Sequence, residues 1–128
     1  MALIRRSVLE HIGGFDNAFN PYGWEDVDFS LRARRAGFDI RLAPTAIVYH
    51  TGGTVGRGRA LPEYERSKMR GYFLLIRRHA NRRQRICFLC LLPLRAFRRA
   101  MRELRAGHVD IVLAHIQGAL TARRKPRQ

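Results

Sequence analysis

An α/β chain followed by a basic helical region is what the sequence predicts, and three observations carry that expectation. A helical stripe over about Asp26 to Ala36 gives way to alternation, with Phe38, Ile40 and Leu42 interleaved with Asp39 and Arg41, and then to the β-rich run TAIVYH that ends on His50. From residue 62 onward the apolar periodicity is helical throughout. The charge changes at the same place: residues 1–61 carry 8 basic and 6 acidic side chains, net +2, and residues 62–128 carry 17 and 4, net +13. The expected domains are therefore 1–61 and 62–128.

Each element has a local reason. Ala2 to Ile4 reads as the end of a strand, which asks for a partner upstream. Ser7 and Glu10 have capping-box spacing, predicting a short helix over Val8 to Ile12 that Gly13-Gly14 stops. In the next helix Val27, Leu31 and Arg34 form one stripe, with Phe29, Ala33 and Ala36 beside it, and Gly37 takes the left-handed position past the end. Pro44 separates the two expected strands. TGGTVGRGRALP, residues 51–62, is too rich in glycine for an element and reads as a mobile loop. Beyond it, Met69, Tyr72, Phe73 and Ile76 share one helical face, a second helix begins near Arg85 with Pro93 bending or breaking it, and Val109, Val112, Leu113, Ile116 and Leu120 define a last amphipathic helix.

Composition bounds the function. With 128 residues and 46% hydrophobic content the chain can bury one modest core. Its basic residues are almost all arginine, Lys68 and Lys125 being the only lysines, which favours bidentate contact with phosphate or anionic headgroups. Cys87 and Cys90 sit together in an apolar run with nothing else to pair with, so a disulfide framework is not expected, the compartment is reducing, and a zinc site would find two ligands where it needs four. The N-terminus lacks an apolar core of signal-peptide length. The longest apolar run, Ile86 to Leu94, is far short of the roughly 20 residues that span a bilayer as a helix.

The densest chemistry lies in NPYGWEDVDFSLRARRAGFDI, where Glu25 and Asp26 open a helix. The dipole and unpaired N–H groups of a helix N-terminus favour negative charge, so simple capping is one reading of these acids. The longer run IGGFDNAFNPYGWEDVDFSLRARRAGFDIRLAPTAIVYH resembles the C-terminal, acceptor-side half of the catalytic domain of inverting, GT-A-fold (Rossmann-like), family-2-type glycosyltransferases: a GGFD turn, an aromatic-glycine-x-Glu-Asp segment opening a helix, a glycine, a strand with proline, and a histidine. The likeness runs from about Ala2 to Gly53. It implies that Asp26 is the general base, that Glu25, with Trp24 and Tyr22, binds the acceptor, that Arg57 and Arg59 clamp the donor diphosphate, and that His50 ligates a divalent metal, Mn²⁺ or Mg²⁺. Asp26-Val27-Asp28 also spells D-x-D, but in that family the metal motif ends an earlier strand, in a nucleotide-binding half that does not precede Met1 here; Asp28 reads as part of the first helical turn. The expectation is a truncated or split enzyme that works with an upstream half.

The implied partners are a nucleotide-sugar donor and a saccharide or glycolipid acceptor, in bacterial-type cell-envelope assembly. Arginines 77, 78, 82, 83 and 85 precede the apolar run and 95, 98, 99, 102 and 105 follow it, the layout of a helix lying in a headgroup layer. An anionic membrane surface is the expected partner, placing the protein in the cytoplasm, peripheral on the inner face of the plasma membrane. Nucleic acid is the weaker fit because few aromatics accompany the arginines. The alternative to an enzyme is a non-catalytic basic module that binds membrane or nucleic acid.

Overall fold

The computed structural model describes residues 3–21, 23–49 and 62–122. Five α-helices run in the order α1 (Arg6–Ile12), α2 (Glu25–Arg35), α3 (Pro62–His79), α4 (Arg82–Arg105) and α5 (Val109–Thr121), with a 3₁₀ turn at Asn17–Phe19 before α2. Among the described residues there is no strand, so the architecture is all-helical and the expected α/β half of a GT-A fold is overturned.

The reason is visible at Phe38 to Tyr49. This segment has the alternating pattern of strands, but a strand needs a neighbour to receive its N–H and C=O groups, and no described segment lies beside it as one. Beyond Phe38, which packs on the core, its apolar side chains are left outside: Leu42 is 90% and Tyr49 91% exposed. Leu3 and Ile4, expected to end a strand, likewise belong to no sheet.

α1 starts earlier than the Ser7–Glu10 spacing predicts. Arg5 is its N-cap, with no side-chain cap, and Ser7 lies inside the helix. Val8 packs with Phe29 and Ala33 of α2 in a small core that Ile4, Ile12 and Phe38 cover. α2 ends as the sequence predicts. Gly37 has φ +87, its N–H donates to the Arg34 carbonyl, and the Phe38 N–H donates to the Ala33 carbonyl, a Schellman closure that returns Phe38 to the core beside Ala33.

α3 is the central element. On one side it carries the turn before α2: Gly71 lies so close that an added Cβ would sit 2.8 Å from the Gly23 carbonyl oxygen and 3.1 Å from the Trp24 ring. On the other side it carries α5, where a Cβ at Gly118 would meet the Arg66 carbonyl oxygen at 2.5 Å. α5 therefore buries Ile111, Ala114 and Gly118, not the expected stripe: Val109, Leu113, Ile116 and Leu120 are exposed. Periodicity by size of side chain chose the wrong face, because two backbones approach closely only across small residues.

α4 begins at Arg82, capped by Asn81, whose side chain accepts from the Gln84 N–H while the Gln84 side chain accepts from the Asn81 N–H. It continues through Pro93 to Arg105 as one helix, so of the bend or break expected there the break is absent. Proline there removes the N–H that would reach the Leu89 carbonyl, and the turns on either side keep the helix continuous. Its single buried side chain is Phe88, seated edge-on against Tyr72 and Phe73 of α3. No described helix is long and apolar enough to cross a membrane.

Candidate functional site

The first turn of α2 holds three carboxylates, Glu25, Asp26 and Asp28, and the fold treats them differently. The turn is aimed by Trp24, a left-handed residue at φ 78 that follows Gly23 at φ 96. A tryptophan in that conformation is uncommon, and here α3 holds it. The indole N–H donates to the Lys68 carbonyl at 2.9 Å and the ring stacks on Tyr72 with centroids 5.1 Å apart. Trp24, expected at the acceptor, thus has its indole committed to α3.

Asp28 is completely buried and acts as the hub of a polar cluster. Arg32 Nε donates to its Oδ2 at 2.8 Å, His79 Nε2 lies 2.7 Å from its Oδ1, and Arg78 approaches to 3.7 Å. Burial, the largest single influence, pushes the Asp28 carboxyl up, but the hydrogen bonds from His79 and Arg32 and their charges together outweigh it and hold the group below the usual carboxylate range. Arg32 spreads its remaining donors to the Ile12 and Gly14 carbonyls, each at 2.7 Å, which ties the end of α1 to α2. Arg78 also pairs with Asp16, whose carboxyl is lowered chiefly by the Ala18 N–H and then by Arg78. Arg35 reaches the His79 carbonyl at 2.8 Å, and Arg70 donates to the Ala18 and Asn20 carbonyls.

Asp26, one turn-step earlier, is exposed. Its Oδ1 accepts the Val27 N–H at 2.8 Å and its Oδ2 has no partner among the described residues. Glu25 is half-buried, and its Oε2 is shielded from water with no hydrogen-bond partner. The arrangement offers one open carboxylate oxygen able to take a proton; the Glu25 Oε2 beside it lacks a partner but is closed to solvent, and reaches a hydroxyl only if the side chain turns outward. Asp28 has no such freedom: both its oxygens are engaged, so Asp26-x-Asp28 does not present a pair of carboxylates to an ion.

The structure brings Trp24, Glu25 and Asp26 together at one turn. Tyr22, His50, Arg57 and Arg59 lie outside the described residues, as does nearly all of the expected mobile loop. Among the described residues no three His, Cys, Asp or Glu side chains converge as metal ligands would. What sequence reasoning missed is the Asp28 cluster. Asp28 and Arg32 stand four apart on a helix and signal a pair. His79 lies 51 positions from Asp28, and nothing local announces it.

The comparisons agree with the motif. The chain shares 36% identity over 47 residues with polypeptide N-acetylgalactosaminyltransferase 6 of Bos taurus and of Homo sapiens, covering 37% of this chain and 8% of each relative. The chain thus spans a small fraction of the curated relatives it matches. No solved structure matches. The family model described as glycosyltransferase like family 2 matches residues 1–73, which takes in α1, α2 and most of α3. With more than half of its length matched, the chain belongs to the glycosyltransferase family 2-like group.

Proposed function

We propose that this chain is the acceptor-side segment of an inverting glycosyltransferase, in which Asp26 removes the proton from an acceptor hydroxyl as that oxygen attacks the anomeric carbon of a nucleotide sugar. The observation that carries the reading is the division of labour in one helical turn: Asp28 is locked by His79 and Arg32, while Asp26 keeps an open oxygen and Glu25 an unpartnered one. Glu25 turns its shielded carboxylate outward to accept a hydrogen bond from the acceptor and fixes its approach. Asp26 takes the proton, and the new bond forms on the face of the sugar opposite the departing nucleoside diphosphate. The base contributes through position, since a free carboxylate in water is weak at this work.

His50, Arg57 and Arg59 belong to the proposal through the resemblance, as groups for a divalent ion and the donor diphosphate. His50→Ala should raise the Mn²⁺ or Mg²⁺ needed for half-maximal transfer; an unchanged metal titration removes His50 from that role. The acceptor is a saccharide or glycolipid of a bacterial cell envelope. Support for work at a membrane comes from α4, where Ile86, Leu89, Leu94, Phe97 and Leu104 are exposed on a helix that also carries eight arginines.

The test is transfer from a panel of nucleotide sugars by the chain reconstituted with a nucleotide-binding half, measured for the native sequence and for Asp26→Asn. Transfer should fall by about 10²- to 10⁴-fold, the usual share of a general base. Glu25→Gln should act mainly on acceptor KM. Native rates in Asp26→Asn contradict the assignment.

A further inference from the structure

α4 does not close on the packed pair of α3 and α5. Between them lies a cleft of about 470 Å³, within the range of about 300–1,000 Å³ typical of small-molecule sites. Tyr72, Phe73 and Phe88 wall one end, and Leu92, Val112 and Ile116 continue the lining. Close-packed interiors do not leave apolar gaps of that size, and α4 is held to α3 by Phe88, by a hydrogen bond from Arg85 to the Arg77 carbonyl at 2.7 Å and by an ion pair from Arg99 to buried Glu65 at 3.1 Å.

The charged groups at the cleft are unequal. Arg99 is matched by Glu65 and by Glu103 at 3.4 Å. His115 is held between the Ile111 carbonyl at 2.7 Å and Glu65 at 3.1 Å. Glu103 is also met by His108 at 3.3 Å. Arg95 lines the same cleft, is exposed, and has no carboxylate partner among the described residues. An apolar slot with one uncompensated guanidinium at its edge complements a hydrocarbon chain that carries an anionic head.

We infer that the cleft between α3, α4 and α5 takes one acyl chain of an anionic phospholipid, with Arg95 against the phosphate. This deepens the membrane-surface reading of α4 and rests on it: the exposed stripe on the outer side of α4 meets the bilayer, and the inner side draws one lipid partly out of it. The slot is apolar, so a hydrophilic sugar nucleotide does not suit it, and Arg95 gives it a preference that a neutral lipid does not satisfy.

The test uses the full chain and monomeric lysophosphatidic acid, which needs no bilayer. Binding is measured by equilibrium dialysis, and emission of Trp24, the chain's one tryptophan, reports the location because its ring stacks on Tyr72 in the cleft wall. One saturable site per chain is expected, with about tenfold weaker binding of lysophosphatidylcholine of equal chain length and no competition by inorganic phosphate. Ala100→Phe, which fills the cleft from α4, should abolish binding, and Arg95→Gln should weaken it about tenfold. Arg95 is exposed, so its variant carries the test if Ala100→Phe does not fold. Absence of saturable binding, equal binding of the two lipids, or undiminished binding by Arg95→Gln overturns the proposal, as does a Trp24 shift that follows protein concentration without lipid and so marks a second copy in the cleft. Sedimentation with phosphatidylglycerol vesicles, run in parallel, keeps the two readings apart: vesicle binding without lysolipid binding sinks the cleft alone, and the reverse sinks the surface reading alone.

Discussion

The turn around α2 and the pair α4–α5 rest on α3 by opposite means. The first is fastened by directional polar bonds: the Asp28 cluster, the Arg32 fork, the Arg70 donors and the Trp24 indole N–H. The second is seated mainly by apolar contact, α5 through Ile111 and the small residues Ala114 and Gly118 and α4 through Phe88, with buried Glu65 pairing with Arg99 and His115 and a cleft left beneath α4. Hydrogen bonds fix angles, whereas apolar contact fixes proximity and tolerates sliding. A turn that must hold two carboxylates in register therefore uses the first means, and a surface that meets a deformable partner can use the second.

That contrast can be broken by experiment. The largest effect is expected at the hub: Asp28→Asn keeps the shape but leaves Arg32, His79 and Arg78 without their carboxylate, and removal of one member of a buried ion cluster costs about 3–5 kcal/mol. Denaturant unfolding should show it as a lower midpoint; an unchanged midpoint would mean the cluster holds nothing. Gly118→Ala should come next. Alanine is ordinarily the better helix former by about 1 kcal/mol. Here its Cβ would press on the Arg66 carbonyl, so a net loss of about 1–3 kcal/mol is expected, and a gain would show that α5 does not lie so close to α3.

A smaller effect follows from pH. The folded carboxyl of Asp28 lies below its ordinary value of 3.8, so its stabilising contribution is fully present above that value and is lost as pH falls through the lower folded one. Asp16 acts in the same direction. Stability of the native chain should drop below about pH 4. The Asp28→Asn curve should drop less steeply there, and parallel curves would exclude Asp28 as the source. The smallest effect on stability belongs to the exposed face of α4 away from the cleft: Ile86→Gln should leave the melting temperature in place while weakening adsorption to anionic vesicles about tenfold, or about 1.4 kcal/mol. Loss of stability without loss of adsorption would make Ile86 a packing residue.

Local signals carried well. The helices, the Gly37 stop and the Glu25-Asp26 opening of α2 are legible because capping and periodicity are set within a few residues. Partnership was not legible. Phe38 to Tyr49 has strand chemistry and no strand beside it, the apolar stripe of α5 is the exposed one because Gly118 and Ala114 admit α3 more closely, and Pro93 sits in a helix that its flanking turns sustain. Asp28 looked like one more acid in a helix's first turn, since its decisive neighbour, His79, arrives from the far end of another helix.

The central claim is that neighbouring acids in one turn have separate duties, Asp26 in chemistry and Asp28 in the scaffold. The most direct test is Asp26→Asn in the chain reconstituted with a nucleotide-binding half, read for sugar transfer and for thermal unfolding in the same preparation. Asparagine can still accept the Val27 N–H, so the account predicts an unchanged melting temperature and a transfer rate reduced by about 10²- to 10⁴-fold. Native transfer, or a loss of transfer no larger than a matching loss of folded protein, would contradict it.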